Sequence, residues 1–513
     1  MGRVGLTVGS SRSPFGLKSE GTLRSFKKSS RQAGFLQRLW ELPNALAGGT
    51  ILVRSVLVAA SASIIVLDAA RAQTIDGTWS GIATLKPDSG LPVGVRLKID
   101  RPKNSLRVRL SLPESRLVDL ELPSPYSDSS YATYANGHLH AEFTPDIGLA
   151  IISRIVAHDE ERIVFDGDLS GNELAGTIRI TNYRSPITLR PEAESPREPE
   201  IHLSSARDSM RLGGKLVLPS GKGPFPAAVF VTGSDPDTRE AWQLEARALA
   251  KSGIASLLYD KRGVGESAGA NHDLASWDDL AGDVEGAVAY LRSRRDVIDP
   301  KHVCLIGQSQ GTWIIAKVAA ADPRIAFMVS IAGSGISAGE QETYRTGALM
   351  KADGFSDADI ARARALQRQK FQVAKTGLGW DALDSTMKQL RADSTRWFPG
   401  YGTGAATRSL ASLRMYGVLQ FNYDPTRDLR VIKAPVLVIM GERDRVFPPQ
   451  VVIDRMRDAL RAGGNNKFAV RIIPGAGHGL TTIQTIGGRP FRGAVSPLFL
   501  TTLDSWVSRV ASQ

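Results

Sequence analysis

The stretch His302-Val303-Cys304-Leu305-Ile306-Gly307-Gln308-Ser309-Gln310-Gly311-Thr312-Trp313-Ile314-Ile315-Ala316-Lys317-Val318-Ala319-Ala320 decides how the rest of the chain is read. Its first five residues read as a buried strand, and its apolar second half reads as a helix. Between them Gly307-Gln308-Ser309-Gln310-Gly311 fits G-x-S-x-G. A strand that runs into a tight turn and then a helix lifts the central Ser Oγ clear of the sheet edge, and small residues flank it because the turn is cramped. A second match, Gly265-Glu266-Ser267-Ala268-Gly269, lacks that setting. It follows Tyr259-Asp260-Lys261-Arg262-Gly263-Val264 and precedes the polar Asn271-His272-Asp273, so it reads as a loop. Ser309 is therefore the candidate nucleophile, and Ser267 is not.

A serine hydroxyl attacks poorly until a neutral imidazole takes its proton. Of the seven histidines only His478 lies after Ser309, in the Gly-rich loop Ile473-Pro474-Gly475-Ala476-Gly477-His478-Gly479 that follows a strand over 468–473. A solvated loop histidine is the plain alternative. The chain order Ser, then acid, then His favours the base. The acid must orient the imidazole and stabilise its charged form. Asp444 follows another strand, in Gly441-Glu442-Arg443-Asp444-Arg445-Val446-Phe447-Pro448. Glu442 is its rival, and a surface ion pair with Arg443 or Arg445 is the plain alternative for Asp444.

Working outward, apolar runs at 227–231, 254–259, 303–306, 327–331 and 436–440 alternate with helical patterns, such as Leu280, Val284, Ala287, Val288 and Leu291. Continuous apolar strands alternating with helices imply a parallel sheet covered on both faces. The alternation breaks over 336–430, which has helical composition and carries Trp380, Trp397, Phe398, Tyr401, Tyr416, Phe421 and Tyr423. We read it as a helical cap inserted after the sixth strand and expected over the site, with Trp397 and Phe398 candidates for shaping an acyl pocket. The alternative is that these aromatics pack the cap's own core. Residues 73–190 instead alternate with period two, as in Val93-Gly94-Val95-Arg96-Leu97-Lys98-Ile99, and imply an antiparallel β-domain. The charged, proline-rich 191–200 reads as a linker, and 201–513 as the domain that carries the candidate site.

The net charge of +12 is concentrated at one end. Residues 1–54 hold nine Lys/Arg against two acids, about +7 of the total. Basic residues interleaved with aromatics, the footprint of a nucleic-acid groove, are missing, so no nucleic-acid partner is expected. Arg54, the apolar run 55–67 and Ala70-Arg71-Ala72 form a signal-peptide pattern. The run is too short to span a bilayer as a helix. Residues 1–72 are thus a targeting segment, the mature chain is expected from Gln73 in the periplasm or outside the cell, and no stable membrane span should remain after cleavage. A core helix, or a start near Val53, is the alternative. The one cysteine, Cys304, cannot form an intramolecular disulfide.

Taken together, residues 201–513 resemble the α/β-hydrolase superfamily, in particular bacterial esterase-like members with an N-terminal extension. The stretches that carry the resemblance are Val231-Thr232-Gly233-Ser234-Asp235-Pro236, Tyr259-Asp260-Lys261-Arg262-Gly263-Val264-Gly265-Glu266-Ser267, the Ser309 elbow, the Asp444 turn and the His478 loop. The resemblance implies a mostly parallel sheet with helices on both faces, a helical cap and an all-β domain ahead of it. It implies cleavage of a small-molecule acyl substrate through an acyl-enzyme, without cofactor or metal. It also implies an oxyanion hole from the backbone N–H groups of Ser234 and Gln310. Thr232 stands where such hydrolases commonly carry His, which leaves the backbone donor intact. The Tyr259–Ser267 turn is implied to be structural, with Asp260 outside the chemistry. Serine peptidase and thioesterase stay open on the same triad, as does a ligand-binding protein on a hydrolase scaffold. Ser385-Thr386-Met387-Lys388 and Lys375-Thr376-Gly377 occur in the reverse of the order a penicillin-recognising site requires. His138 and His140 share a strand face without a third ligand near in sequence.

Overall fold

The structure is a computed structural model of the chain and describes residues 74–85, 91–113, 117–122, 131–143, 162–180, 183–192, 196–269, 272–402, 409–416, 423–486 and 489–513. Contacts divide the chain at Gln73/Thr74. The expected targeting segment, Asn271 and Phe421 lie outside the described residues.

Nine strands form the first sheet: β1 (Gly77–Leu85), β2 (Leu91–Asp100), β3 (Arg107–Leu112), β4 (Leu117–Leu122), β5 (Tyr131–Ala135), β6 (His138–Phe143), β7 (Ile163–Ser170), β8 (Glu173–Ile180) and β9 (Tyr183–Pro191). Their order, β4-β3-β2-β1-β9-β8-β7-β6-β5, is antiparallel throughout. The period-two alternation puts Val95, Leu97, Ile99, Val108, Leu110, Leu139, Phe165 and Ile178 into one apolar core, as a sheet with one buried face requires. Trp79 joins that core and donates its indole N–H to the Ile75 carbonyl at 2.8 Å.

The described residues of the proline-rich stretch after this sheet are held at both ends. The Glu192 carboxylate accepts from Arg96, and its N–H donates to the Thr78 carbonyl. Further along, the Arg197 carbonyl accepts from Leu218 N–H, and Glu198 takes a two-point bond from the Arg247 guanidinium at 2.6 and 3.0 Å. These pairings tether the described residues on either side of 193–195.

The second sheet comprises β10 (Glu200–Ser204), β11 (Arg211–Val217), β12 (Phe225–Val231), β13 (Ala255–Tyr259), β14 (Ile298–Gln308), β15 (Met328–Ile331), β16 (Val436–Gly441) and β17 (Phe468–Ile473). Its order is β10-β11-β13-β12-β14-β15-β16-β17, parallel from β13 onward along that order. The apolar runs are continuous because both faces are covered. Val229, Leu305 and Val438 join the core beneath the helices Trp277–Ser293, Gln310–Ala321 and Pro449–Ala462. Their neighbours Phe230, Ile306 and Ile439 join the opposite core beneath Gln243–Lys251 and Pro497–Ala511. This is an α/β-hydrolase fold with an all-β domain ahead of it.

Between β15 and β16 the chain runs through the helices Ala338–Ala352, Asp357–Thr376, Trp380–Ala392, Leu410–Tyr416 and Thr426–Val431. Ser337 and Glu340 close a capping box on the first. Gly377, with φ 73°, stops the second in the left-handed conformation that glycine adopts at least cost. Met350, Ile360, Leu366, Leu383, Leu390, Trp397 and Phe398 form a core internal to this cap. Trp397 and Phe398 are 1% and 2% exposed. The expectation that they shape an acyl pocket is corrected: they hold the cap together.

Candidate active site

The elbow forms as its sequence implies. β14 ends at Gln308, the helix Gln310–Ala321 begins at Gln310, and Ser309 between them has φ 51° and ψ −119°. A positive φ is strained for a residue with a Cβ and persists only where the surroundings over-determine it. Here Ser309 N–H donates to the Ile331 carbonyl at 3.0 Å, and its own carbonyl accepts from Thr312 Oγ1 at 2.6 Å. The turn also needs glycine behind it. A Cβ on Gly311 would meet the Val231 carbonyl oxygen at 2.2 Å, so no larger residue lets the helix close on β12.

The candidate acid and base meet across the ends of β16 and β17. His478 Nδ1 lies 2.9 Å from Asp444 Oδ2. The Asp444 side chain is fully buried, and its other oxygen accepts from the N–H groups of Val446 and Phe447 at 2.7 and 2.9 Å. A buried carboxylate needs such partners. Among the described residues neither Arg443 nor Arg445 pairs with it, so the plain ion-pair alternative fails. Glu442, the rival, turns away and accepts from Gly475 N–H at 2.7 Å. It ties the two loops together, helped by Arg443 N–H to the Ala476 carbonyl at 2.9 Å. The hairpin β18 (Thr481–Ile486) and β19 (Arg489–Val495) follows and anchors the histidine loop through Gly477 N–H to the Thr481 carbonyl.

His478 packs against the elbow. The Phe447 ring stacks on His478 at 5.8 Å and packs against Trp313 of the elbow helix at 5.4 Å. Gln308 Nε2 lies 3.3 Å from His478 Nε2; because an amide N–H can only donate, this contact assigns the ring proton to Nδ1, toward Asp444. Among the described residues no hydrogen bond joins Ser309 Oγ to His478. Catalytic hydrogen bonds are often loose without substrate, and the amide of Gln308 fills the lone pair that the hydroxyl needs.

The β12 loop comes against Ser309. A Cβ on Gly233 would lie 2.8 Å from Gln308 Oε1 and 3.3 Å from Ser309 Cβ. That approach carries the peptide joining Gly233 to Ser234 to the elbow, beside the start of the helix at Gln310. The first cap helix also reaches the site: Tyr344 OH donates to the Asp444 carbonyl at 3.0 Å, and Gln341 Nε2 to the Val446 carbonyl at 3.1 Å.

Ser267 and Asp260 are structural. The Ser267 hydroxyl donates to the Asp260 carbonyl and accepts from Gly213 N–H. The Asp260 carboxylate takes donors from Arg239 and from Glu266 N–H. His138 and His140 pair with Asp168 and Asp166 of the neighbouring strand. Sequence reasoning missed Gln308, Phe447 and Lys261 as neighbours of the site. Gln308 and Phe447 flank the candidate triad in sequence, which was the available signal. For Lys261 there was none.

Comparison with known proteins agrees with this architecture. Residues 228–484 match the alpha/beta hydrolase family, and the chain belongs to it. A non-heme haloperoxidase of Rhodococcus erythropolis is 24% identical over 254 residues, which cover 48% of this chain and 84% of that protein. Esterase EstD of Thermotoga maritima is 31% identical over 184 residues, covering 34% of this chain and only 40% of the esterase. Among solved structures, an esterase of Pyrococcus furiosus is 14% identical, with a TM-score of 0.39 over 62% of this chain and 91% of that one.

Proposed function

We propose that this protein is a carboxylic ester hydrolase using Ser309, His478 and Asp444. His478 takes the proton as Ser309 Oγ bonds to the ester carbonyl carbon, and the carbonyl oxygen becomes an oxyanion held by the Ser234 and Gln310 N–H groups. Collapse breaks the bond to the alkoxide, which leaves as alcohol with the proton from His478. Water, deprotonated by the same imidazole, then attacks the acyl-enzyme, and the acid departs as Ser309 regains its proton. No step uses a cofactor or metal. The observation that supports the reading is the buried Asp444 paired with His478, whose ring lies 3.3 Å from the residue preceding the strained elbow Ser309. The similarity to EstD agrees with ester cleavage.

Leaving-group identity is not written in a triad, so the test compares leaving groups. Wild type and Ser309→Ala would be assayed on p-nitrophenyl esters of graded chain length, aminoacyl anilides and acyl thioesters. Ser309-dependent turnover highest on an oxygen ester supports the reading. Anilide or thioester turnover well above every ester would replace it with a peptidase or thioesterase. Binding without turnover would make the chain a ligand-binding protein. We further propose that the mature protein is periplasmic or secreted, on the pattern at 54–72.

A further inference from the structure

Lys261 belongs to the turn after β13, where its neighbours Asp260 and Arg262 are each paired with a charged residue of another element. Arg239 pairs with Asp260, and Arg262 makes a two-point bond to Asp283 at 2.6 and 2.8 Å. Lys261 points elsewhere. Its side chain is buried, with the residue 5% exposed, and its ammonium donates to the carbonyl oxygens of Gly233 and Asp235 and to Gln310 Oε1, the latter two each at 3.2 Å. Three acceptors use the three N–H bonds of an ammonium. The first two lie on the loop after β12, and the third on the first residue of the elbow helix.

The Gly233 carbonyl belongs to the same peptide unit as the Ser234 N–H. That unit is planar and trans, so its C=O and N–H point in opposite directions. A cation fixed at the oxygen therefore fixes the direction of the N–H. It also draws electron density toward the oxygen and makes the N–H a better donor, as coupled hydrogen bonds do. Grip on Gln310 ties the second donor's residue to the same point. We propose that Lys261 is a positioning residue for the oxyanion hole, clamping the Gly233–Ser234 peptide to the elbow through its ammonium. The inference rests on the reading of Ser309 as nucleophile.

Burial lowers the Lys261 pKa to about 8, despite the opposing pull of Asp237 and Asp235 on the same loop and Asp273 on the turn His272–Leu274. The ammonium is therefore lost from the folded protein at mildly alkaline pH, and two observables should part. Activity falls as pH rises through about 8, because the neutral amine grips carbonyls weakly. Stability moves the other way: between about 8 and the ordinary lysine value the unfolded chain binds the extra proton, so the cost of burying the charge is relieved as pH rises.

The test measures kcat, KM and Tm against pH for wild type, Lys261→Met and Lys261→Arg on the best p-nitrophenyl ester, with Ser309→Ala alongside. Lys261→Met should lower kcat about 10- to 100-fold with KM little changed, less than the 10²–10³ of a missing oxyanion donor. Lys261→Arg should restore part of that loss and push the alkaline decline upward. If Lys261→Met does not fold, wild type and Lys261→Arg still decide, since the decline near pH 8 must be present in one and displaced in the other. Wild-type kcat flat to pH 9.5, or Lys261→Met within twofold of wild type, overturns the inference while leaving a Ser309-dependent esterase intact. Wild-type turnover that survives Ser309→Ala overturns both.

Discussion

Asp444 and Glu442 stand two residues apart on one turn, and their surroundings give them different work. Asp444 is buried, bonded to two backbone N–H groups and to His478, whereas Glu442 holds only Gly475 N–H across the loop gap. Asp444→Asn should therefore lower kcat by about 10³- to 10⁴-fold, as loss of the orienting carboxylate does in such triads. Glu442→Gln keeps an acceptor for Gly475 and should stay within a few-fold of wild type. Steady-state kinetics on the two variants check this, and the reverse pattern would move the acid to Glu442. His478→Ala should be about as severe as loss of Ser309, because the pair acts as a unit and the losses do not add. Ser267→Ala is the control. It leaves Gly213 N–H and the Asp260 carbonyl without their partner, about 1–3 kcal/mol of stability, so a lower Tm with near-normal kcat is expected. The candidate triad was legible because each member follows a recognisable strand in family order. The contacts of Lys261 were not, because they reach across 28 residues to Gly233 and no local pattern encodes such an approach.

At the scale of elements, the cap shows where composition misleads. An aromatic-rich insert after β15 invites a pocket reading, but residue type does not say which way a ring points. Trp397 and Phe398 meet edge-on in the cap core at 6.3 Å between centroids. Trp397→Ala should cost about 3–5 kcal/mol, and thermal melts should show it as a markedly lower Tm or an early cap transition. A shift in chain-length preference without loss of stability would restore the pocket role. The strands were legible for the opposite reason: burial on both faces demands unbroken apolar runs, and their alternation with helical patterns points to that architecture. The hairpin Thr481–Ile486 with Arg489–Val495 was not foreseen, since its strands carry polar residues and a proline.

On the scale of the whole molecule, the two sheets lie in one compact unit from Thr74 onward. Contacts at Glu192, Arg197 and Glu198 pin the connection between them. No helix among the described residues is long and apolar enough to cross a membrane. The export proposal predicts an N-terminus near Gln73 on protein recovered from the periplasm or medium, read by mass spectrometry; cytosolic protein beginning at Met1 would contradict it. The central claim is a nucleophilic Ser309 activated by His478, and mass mapping after treatment with a fluorophosphonate tests it most directly. The account predicts one phosphonyl adduct, on the peptide containing Ser309, absent in Ser309→Ala and much slower to form in His478→Ala. An adduct on Ser267, or labelling undiminished in Ser309→Ala, would contradict it.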